Sequence, residues 1–439
     1  MLARTAFSRT AIATAVIVLA AATLAACSSG GGASNGKVAI SYLTQNDAQS
    51  TATARDFIKE FEKKYPNITV KLDTQPAGSE GDNLMKTKLS TSTMNDVFNY
   101  NDGSLLQALN PDKTLVDLSG ESWVSKVDKD FKSVVSTSKG LYGAPIGTSF
   151  GGGVIYNKKV FSALSLSVPK TWTEFMANSE KIKAAGDITP ILQAYGTDWT
   201  SQLFVLADFA NIAHQDPKWA TKYTDNKAKY GDQPALAGFL HQQQAFQAGL
   251  FNKDFASLTH EQALKLLADG KAAQYPMLTV AVSAIQQDEP EKAGDIGYFA
   301  LPADKAANTS ATIWQPNALY IPKTTTGVKL DAAKKFIDFV TATPAGCAVQ
   351  NAHGTPTGPY VTTACTLPSD VLPIVTDLEA YFKSGNTAPA LEFLSPIKGP
   401  NLPAITTAVG SGISTAKEGA KLYDDDVVKQ AQQLGLKGW

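Results

Sequence analysis

Arginine is nearly missing from this chain of 439 residues: Arg4 and Arg9 stand at its very start, and only Arg55 follows. Lys+Arg 39 against Asp+Glu 40 gives a formal charge of −1, and no Lys/Arg cluster stands out. Nucleic acid is therefore not an expected partner. Histidine is scarce as well. His214, His241, His260 and His353 show no H-x-x-x-H spacing, and the 3 cysteines form no C-x-x-C pair, so no metal site is expected. Asp424-Asp425-Asp426 lacks the alternation and glycine of a calcium loop and reads as a solvated helix face. There is no G-x-x-x-x-G-K-[ST] phosphate cradle, and no cofactor is expected. Long apolar runs are absent except at the N-terminus.

That one run, Ala11–Ala26, follows Arg4 and Arg9 and carries no charge. It is short of the roughly 20 apolar residues of a comfortable membrane span and reads as a secretory signal peptide, residues 1–26. It ends in Leu24-Ala25-Ala26-Cys27, the form of a bacterial lipobox; ordinary A-x-A cleavage beside an incidental cysteine is the alternative. The Ser/Gly-rich stretch that follows makes residues 27–36 a flexible tether. The expected protein is an extracytoplasmic body held to the cell membrane by lipid on Cys27, since two acyl chains anchor stably where one does not. With Cys27 so assigned, Cys347 and Cys365 remain as an even pair in an exported chain, and a disulfide between them is expected.

The body of about 400 residues is long enough for two cores. It opens with strand 38–43, helix 51–65, strand 68–74, helix 82–92 and strand 96–100, a β-α-β-α-β run that predicts a parallel sheet. A second α/β unit follows: strand 152–158, helix 172–186, strand 188–195, helical segments at 200–213, 235–249 and 260–269, and strand 271–278. Strands at 295–303 and 317–323 and a helix at 331–342 precede a mostly helical C-terminal region, which Pro/Gly-rich breaks interrupt at 354–359 and 396–403.

Residues Gly147–Gly151 match G-x-S-x-G, the nucleophile elbow of serine hydrolases. An elbow needs a helix directly after its serine. Gly151-Gly152-Gly153 and then Val154-Ile155-Tyr156 follow Ser149, and such a run prefers a strand. No enzyme activity is expected, although a secreted glycoside hydrolase or esterase remains the alternative from another class. The chemistry present is that of binding. In parallel sheets ligands sit beyond the carboxyl ends of the strands, where the first unit carries Gln45, Asn46, Glu80, Asn101 and Asp102. A neutral sugar needs such hydrogen-bonding groups beside aromatic rings. Asp198, Trp199 and Trp314, in breaks after or between strands, and Phe150 and Tyr275 supply the second unit's candidates. Phe204, Phe209, Phe336 and Phe339 fit apolar helical patterns and belong to the core.

The lipobox and the phrases FIKEFEKKYPNITVKLDT, GLYGAPIGTSFGGGVIYNKKVF, VPKTWTEFMANSEKIKAAGDITPIL, DGKAAQYP and DIGYFALPADK occur in this order. Together they resemble the family 1 extracellular solute-binding proteins, relatives of maltose-binding protein that serve ABC sugar importers. The resemblance runs from about Lys37 to the C-terminus. It implies a two-lobed periplasmic-binding-protein-like α/β fold, each lobe a sheet flanked by helices, with two or three hinge crossings. Lobe 1 would hold 37–147 plus about 304–353, and lobe 2 about 151–302 plus 357–439. The crossings would lie near Gly147–Gly153, near Leu301–Asp304 and near Gly354–Thr357, with Ser149 and Phe150 facing the cleft. It further implies a monomeric receptor that closes on its solute and then docks on ABC permease subunits. Many relatives carry a tryptophan-rich phrase after the first strand, where this chain has Tyr42-Leu-Thr-Gln-Asn46, so no specific sugar is named. A polyol, sugar phosphate or polyamine is the alternative solute; a phosphate ester would call for Arg or Lys at the strand ends, and none is there.

Overall fold

The structure, a computed structural model, describes residues 36–353 and 356–439. The signal-peptide, tether and Cys27 assignments fall on residues outside that range, as does part of the expected crossing at Gly354–Thr357. In chain order the strands are β1 (Val38–Gln45), β2 (Ile68–Gln75), β3 (Val97–Tyr100), β4 (Ala144–Pro145), β5 (Phe150–Asn157), β6 (Thr189–Ile191), β7 (Ala272–Leu278), β8 (Ile296–Phe299), β9 (Ala311–Trp314), β10 (Ala318–Tyr320) and β11 (Thr387–Pro389).

They form two sheets. The first has the order β2-β1-β3-β10-β4, with β1 parallel to both β2 and β3 and β10 antiparallel to its neighbours. The second runs β11-β9-β5-β7-β6, with β8 also pairing β5. Helix Ala48–Lys64 begins where the Asp47 side chain accepts from the Ser50 N–H, and it ends before Pro66, which cannot continue it. Its apolar face places Phe57 and Phe61 against Phe336 and Phe339 of helix Gly327–Ala342, and all four rings are buried. That is the core of the first lobe. In the second lobe, capping boxes at Thr171/Glu174 and Thr259/Gln262 start helices Trp172–Ala184 and His260–Ala268. Phe204 and Phe209 lie in that lobe's core clusters, as their helical pattern requires. The expected helix at 200–213 is three short pieces, Asp198–Gln202, Leu203–Leu206 and Phe209–Gln215.

The crossings differ from expectation. Gly151, Gly152 and Gly153 are inside β5, not in a connection. A Cβ at Gly152 would stand 2.2 Å from the Trp314 ring, and one at Gly153 would stand 2.5 Å from the Phe299 carbonyl oxygen. These glycines let β5 pack closely. The first crossing is the short piece between Pro145 and Phe150, where Gly147 alone adopts a left-handed backbone, φ 96°. The expected crossing at Leu301–Asp304 stays in the second lobe, because β9 still pairs β5 and the Asn211 amide donates to the Leu301 carbonyl. The chain returns only between Trp314 and Ala318. The third crossing also comes later than 354–357: Val361 packs in the first lobe's core, and Cys365 is disulfide-bonded to Cys347, with Cα atoms 5.4 Å apart. The chain joins the second lobe by helix Pro373–Ser384, whose Ile374, Val375 and Leu378 are buried there. The Asp424–Asp426 run is not a uniformly solvated face either. Asp424 accepts from the Tyr230 and Gly231 N–H groups, and buried Asp426 accepts from Asn401.

Candidate functional site

A cavity of about 1370 Å³ lies between the lobes, larger than the roughly 300–1,000 Å³ usual for small-molecule sites. The carboxyl ends of β1 and β3 open into it. Gln45 ends β1 and Asn46 and Asp47 follow it, and Asn99 and Asn101 lie at the end of β3. Helix Gly78–Ser90 contributes Ser79, Asp82, Asn83 and Lys86, one face at the 3.6-residue period. From the second lobe come Phe150, Tyr195, Thr197, Asp198, Trp199, His260 and Trp314, and from the C-terminal region Glu392, Lys398 and Asn401. The lobes approach closely beside this cleft: a Cβ at Gly78 would meet Asp198 Oδ1 at 2.5 Å.

Of the residues expected from sequence, the structure therefore brings Gln45, Asn46, Asn101, Phe150, Asp198, Trp199 and Trp314 to one cavity. Glu80, Asp102, Ser149 and Tyr275 do not line it. Glu80 is exposed on the other side of its helix. Asp102 is 4% exposed, and its Oδ2 has no hydrogen-bond partner. Burial, and next the negative Glu392, push its carboxyl well above the usual range, so a neutral acid is favoured there. Ser149 is buried, its hydroxyl donates to the Pro359 carbonyl at 3.1 Å, and a strand follows it, so the strand-turn-helix context of an elbow does not occur. Tyr275 is fully buried in the second lobe's core, where its hydroxyl lies 3.3 Å from His260 Nδ1.

Two polar anchors shape the walls. The Tyr100 hydroxyl donates to Asp82 Oδ1 at 2.7 Å; burial raises the Asp82 carboxyl, with Tyr100 and Lys398 acting against that rise. The Trp314 indole N–H donates to Glu392 Oε1 at 2.5 Å, and Lys398 pairs with Glu392 Oε2 at 3.1 Å. Trp314 is not in a break between strands. It is the last residue of β9, directly opposite Phe150, with the two rings nearly parallel (6°) and their centroids 6.4 Å apart. Trp199 is half-buried and packs at 5.1 Å against the His260 ring.

Sequence reasoning passed over Asp82, Asn99, Tyr195, His260, Glu392 and Lys398. Helical periodicity from Ser79 would have found Asp82. Asn99, one position before the strand's end, was within reach of the strand-end rule. Glu392 lies just before a Pro/Gly-rich break and Lys398 within it, and no local signal ties that break to strands hundreds of residues earlier. The arrangement offers hydroxyl-binding amides and carboxylates from facing walls, aromatic rings between them, and no group placed as a nucleophile.

Residues 47–346 match the family model described as bacterial extracellular solute-binding protein. The chain is 27% identical over 327 residues to the "Multiple sugar-binding protein" of Streptococcus mutans, across 73% of this chain and 75% of that one. Among solved structures, a chitin oligosaccharide binding protein matches with a TM-score of 0.78 at 20% identity, covering 90% of this chain and 99% of its own. A solute-binding protein in complex with raffinose matches with a TM-score of 0.75 at 20% identity, covering 90% and 100%. A Bacillus licheniformis sugar transporter protein in complex with stachyose matches with a TM-score of 0.73 at 19% identity, covering 89% and 100%. These likenesses extend the two-lobed fold over nearly the whole described chain, and with well over half of its length matched by the family model the chain belongs to the bacterial extracellular solute-binding proteins.

Proposed function

We propose that the protein is the receptor of an ABC importer, binding a sugar or oligosaccharide between its lobes and delivering it to the permease by hinge closure. The observation that carries this reading is the cleft itself: amide and carboxylate groups at the ends of β1 and β3 face Trp199, Phe150 and Trp314 across a volume of about 1370 Å³. Such a volume suits several sugar rings better than one. The sugar-binding relatives and neighbours agree with that reading. Hinge closure is supported by the first two crossings, which run side by side: Ile146 N–H donates to the Asn317 carbonyl at 3.0 Å. A solute that touches both walls favours the closed state by differential contact. The receptor acts as a monomer, tethered by lipid on Cys27, and catalyses nothing.

Acidic lining groups outnumber basic ones, with Asp47, Asp82, Asp198, Glu261, Asp288 and Glu392 against Lys86 and Lys398. That balance opposes a sugar phosphate and makes a polyamine the second reading. Thermal shift and calorimetry with raffinose, stachyose, chitin oligosaccharides and spermidine separate the two. A saccharide at 100 times its Kd adds about 2.7 kcal/mol of stability. Binding of spermidine alone would replace the sugar reading, and turnover of a chromogenic glycoside or ester would replace the receptor reading.

A further inference from the structure

We propose that closing the lobes seals Asp102 with a proton on its carboxyl, so that solute binding takes up a proton and tightens as pH falls. The inference deepens the receptor reading above and rests on it for hinge closure and for the sugars used as probes. Asp102 follows β3 and stands directly before helix Gly103–Ala108 of the first lobe, without capping it. Its lid is the short helix Leu391–Leu394. Leu391 is buried in the second lobe's core, and the Ala390 N–H donates to the Ile313 carbonyl of β9, so this piece belongs to the second lobe. From it Phe393 reaches across and packs on the first lobe's core. A Cβ at Gly103 would stand 2.4 Å from the Glu392 carbonyl oxygen and 2.8 Å from the Phe393 ring. Only a glycine admits that approach.

Two acidic side chains thus meet at the closing contact, Asp102 from the first lobe and Glu392 from the second. Their surroundings differ. Glu392 has a donor on each oxygen, the Trp314 indole on Oε1 and Lys398 on Oε2. Asp102 is 4% exposed, and its Oδ2 has no hydrogen-bond partner. A buried carboxylate oxygen without a donor loses its hydration and gains nothing in return, so the neutral acid is the form that closure admits. The other groups on the packed elements bring it no cation. Tyr100 of β3 and Tyr320 of β10 are kept in their neutral form, by burial first. Asp82 of helix Gly78–Ser90 accepts from the Tyr100 hydroxyl, and Lys398 pairs with Glu392. Burial, and next the charge of Glu392, hold the Asp102 carboxyl well above the usual range. Opening lifts the lid, returns Asp102 to water and lowers it toward the ordinary value of about 3.9. A carboxyl raised in the closed state favours closure below its open-state value, and that contribution is lost as pH rises through its closed-state value. Between the two values, binding that closes the lobes takes up a proton.

Calorimetric titration of the mature chain with raffinose and stachyose at pH 6.5, in buffers of different ionisation heat, counts the protons taken up. The wild type should take up as many as about one proton per bound solute, and Asp102→Asn, which keeps the shape but does not titrate, should lose that uptake. From pH 5.5 to 7.5 the wild-type Kd should rise about tenfold or more, a rise largely lost in Asp102→Asn. No uptake by the wild type, or the same uptake in Asp102→Asn, overturns the proposal. If Asp102→Asn does not fold, Phe393→Ala takes its place. Phe393 lies outside the cavity, and removing its ring lets water reach Asp102 in the closed state, so uptake should fall there too; unchanged uptake overturns the proposal. Should neither sugar bind the wild type, the receptor reading for these sugars fails, and X-ray scattering of the solute-free chain decides the inference. Its radius of gyration should then shrink from pH 7.5 to 5.5 in the wild type and stay level in Asp102→Asn, and a level wild-type radius overturns the proposal.

Discussion

Trp314 and Glu392 are joined by an indole-to-carboxylate hydrogen bond that holds a cleft aromatic to the short helix Leu391–Leu394, where the two lobes meet. The Glu392 carbonyl lies so close to Gly103 of the first lobe that a Cβ there would be 2.4 Å from it. One residue thus orients the ring, neutralises Lys398 and stands at the inter-lobe contact. Glu392→Ala removes the indole's acceptor and leaves Lys398 without its carboxylate, and solute affinity should fall about tenfold. Glu392→Gln keeps an acceptor for the indole and should lose less. Calorimetric titration of both variants checks this order, and equal losses would show that the charge pair matters and the ring's tether does not.

Trp199 is the first choice for a stacking platform. It is half-buried at the edge of the second lobe's core. Truncating a platform aromatic loses about 2–4 kcal/mol by analogy with interface hot spots, and each 1.4 kcal/mol is tenfold. Trp199→Ala should therefore bind at least tenfold more weakly while its melting temperature changes modestly. A large melting loss with unchanged affinity would assign Trp199 to the core.

Asp208 is 2% exposed, and burial raises its carboxyl to about 6, with His241 opposing the rise. A carboxyl raised in the folded state contributes most below its unfolded value near 3.9, and that contribution is lost as pH rises through about 6. The wild type thus carries an unfavourable buried charge at pH 7.5. Asp208→Asn should be more stable there by about 1–3 kcal/mol, with the gap closing toward pH 4. Urea unfolding at the two pH values measures it, and a pH-independent difference would show that the carboxyl does not titrate in this range.

The disulfide between Cys347 and Cys365 closes a loop of sequence separation 18 within the first lobe. In the loop-entropy model such a bridge contributes about 3 kcal/mol. A double alanine variant should lose about that much in denaturant melts while keeping its solute affinity, since neither cysteine lines the cleft. Labelling of two thiols in the unreduced, denatured wild type would show that no bridge forms.

Cys27 carries the anchoring prediction. Cys27→Ser should move the protein to the soluble fraction or leave its precursor uncut, as fractionation and intact mass would show. A membrane-bound variant of normal cleaved size would end the lipid reading.

The first lobe was the more legible in sequence. The run from Val38 to Tyr100 alternates short apolar strands with amphipathic helices, and pairing between successive elements reproduces that local order in β2-β1-β3. The carboxyl-end rule then brought Gln45, Asn46 and Asn101 to the cavity, because the parallel arrangement forces those ends to one side. Tyr275 misled because a tyrosine in an apolar strand reads alike whether its ring faces core or cleft. Asp102 misled because a strand-end carboxylate gives no local sign that Glu392, nearly three hundred residues later, will cover it.

By itself the sequence determined the two α/β lobes and a hydrogen-bonding cleft with aromatic rings, since these follow from periodicity, residue type and order along the chain. The tertiary structure decided where the chain crosses between lobes, which strand-end residues reach the cavity, and that Glu392, Lys398 and His260 join them. The physical reason is range: secondary structure answers to neighbours a few residues away, whereas a cleft is built from contacts that only the packing of distant segments brings together.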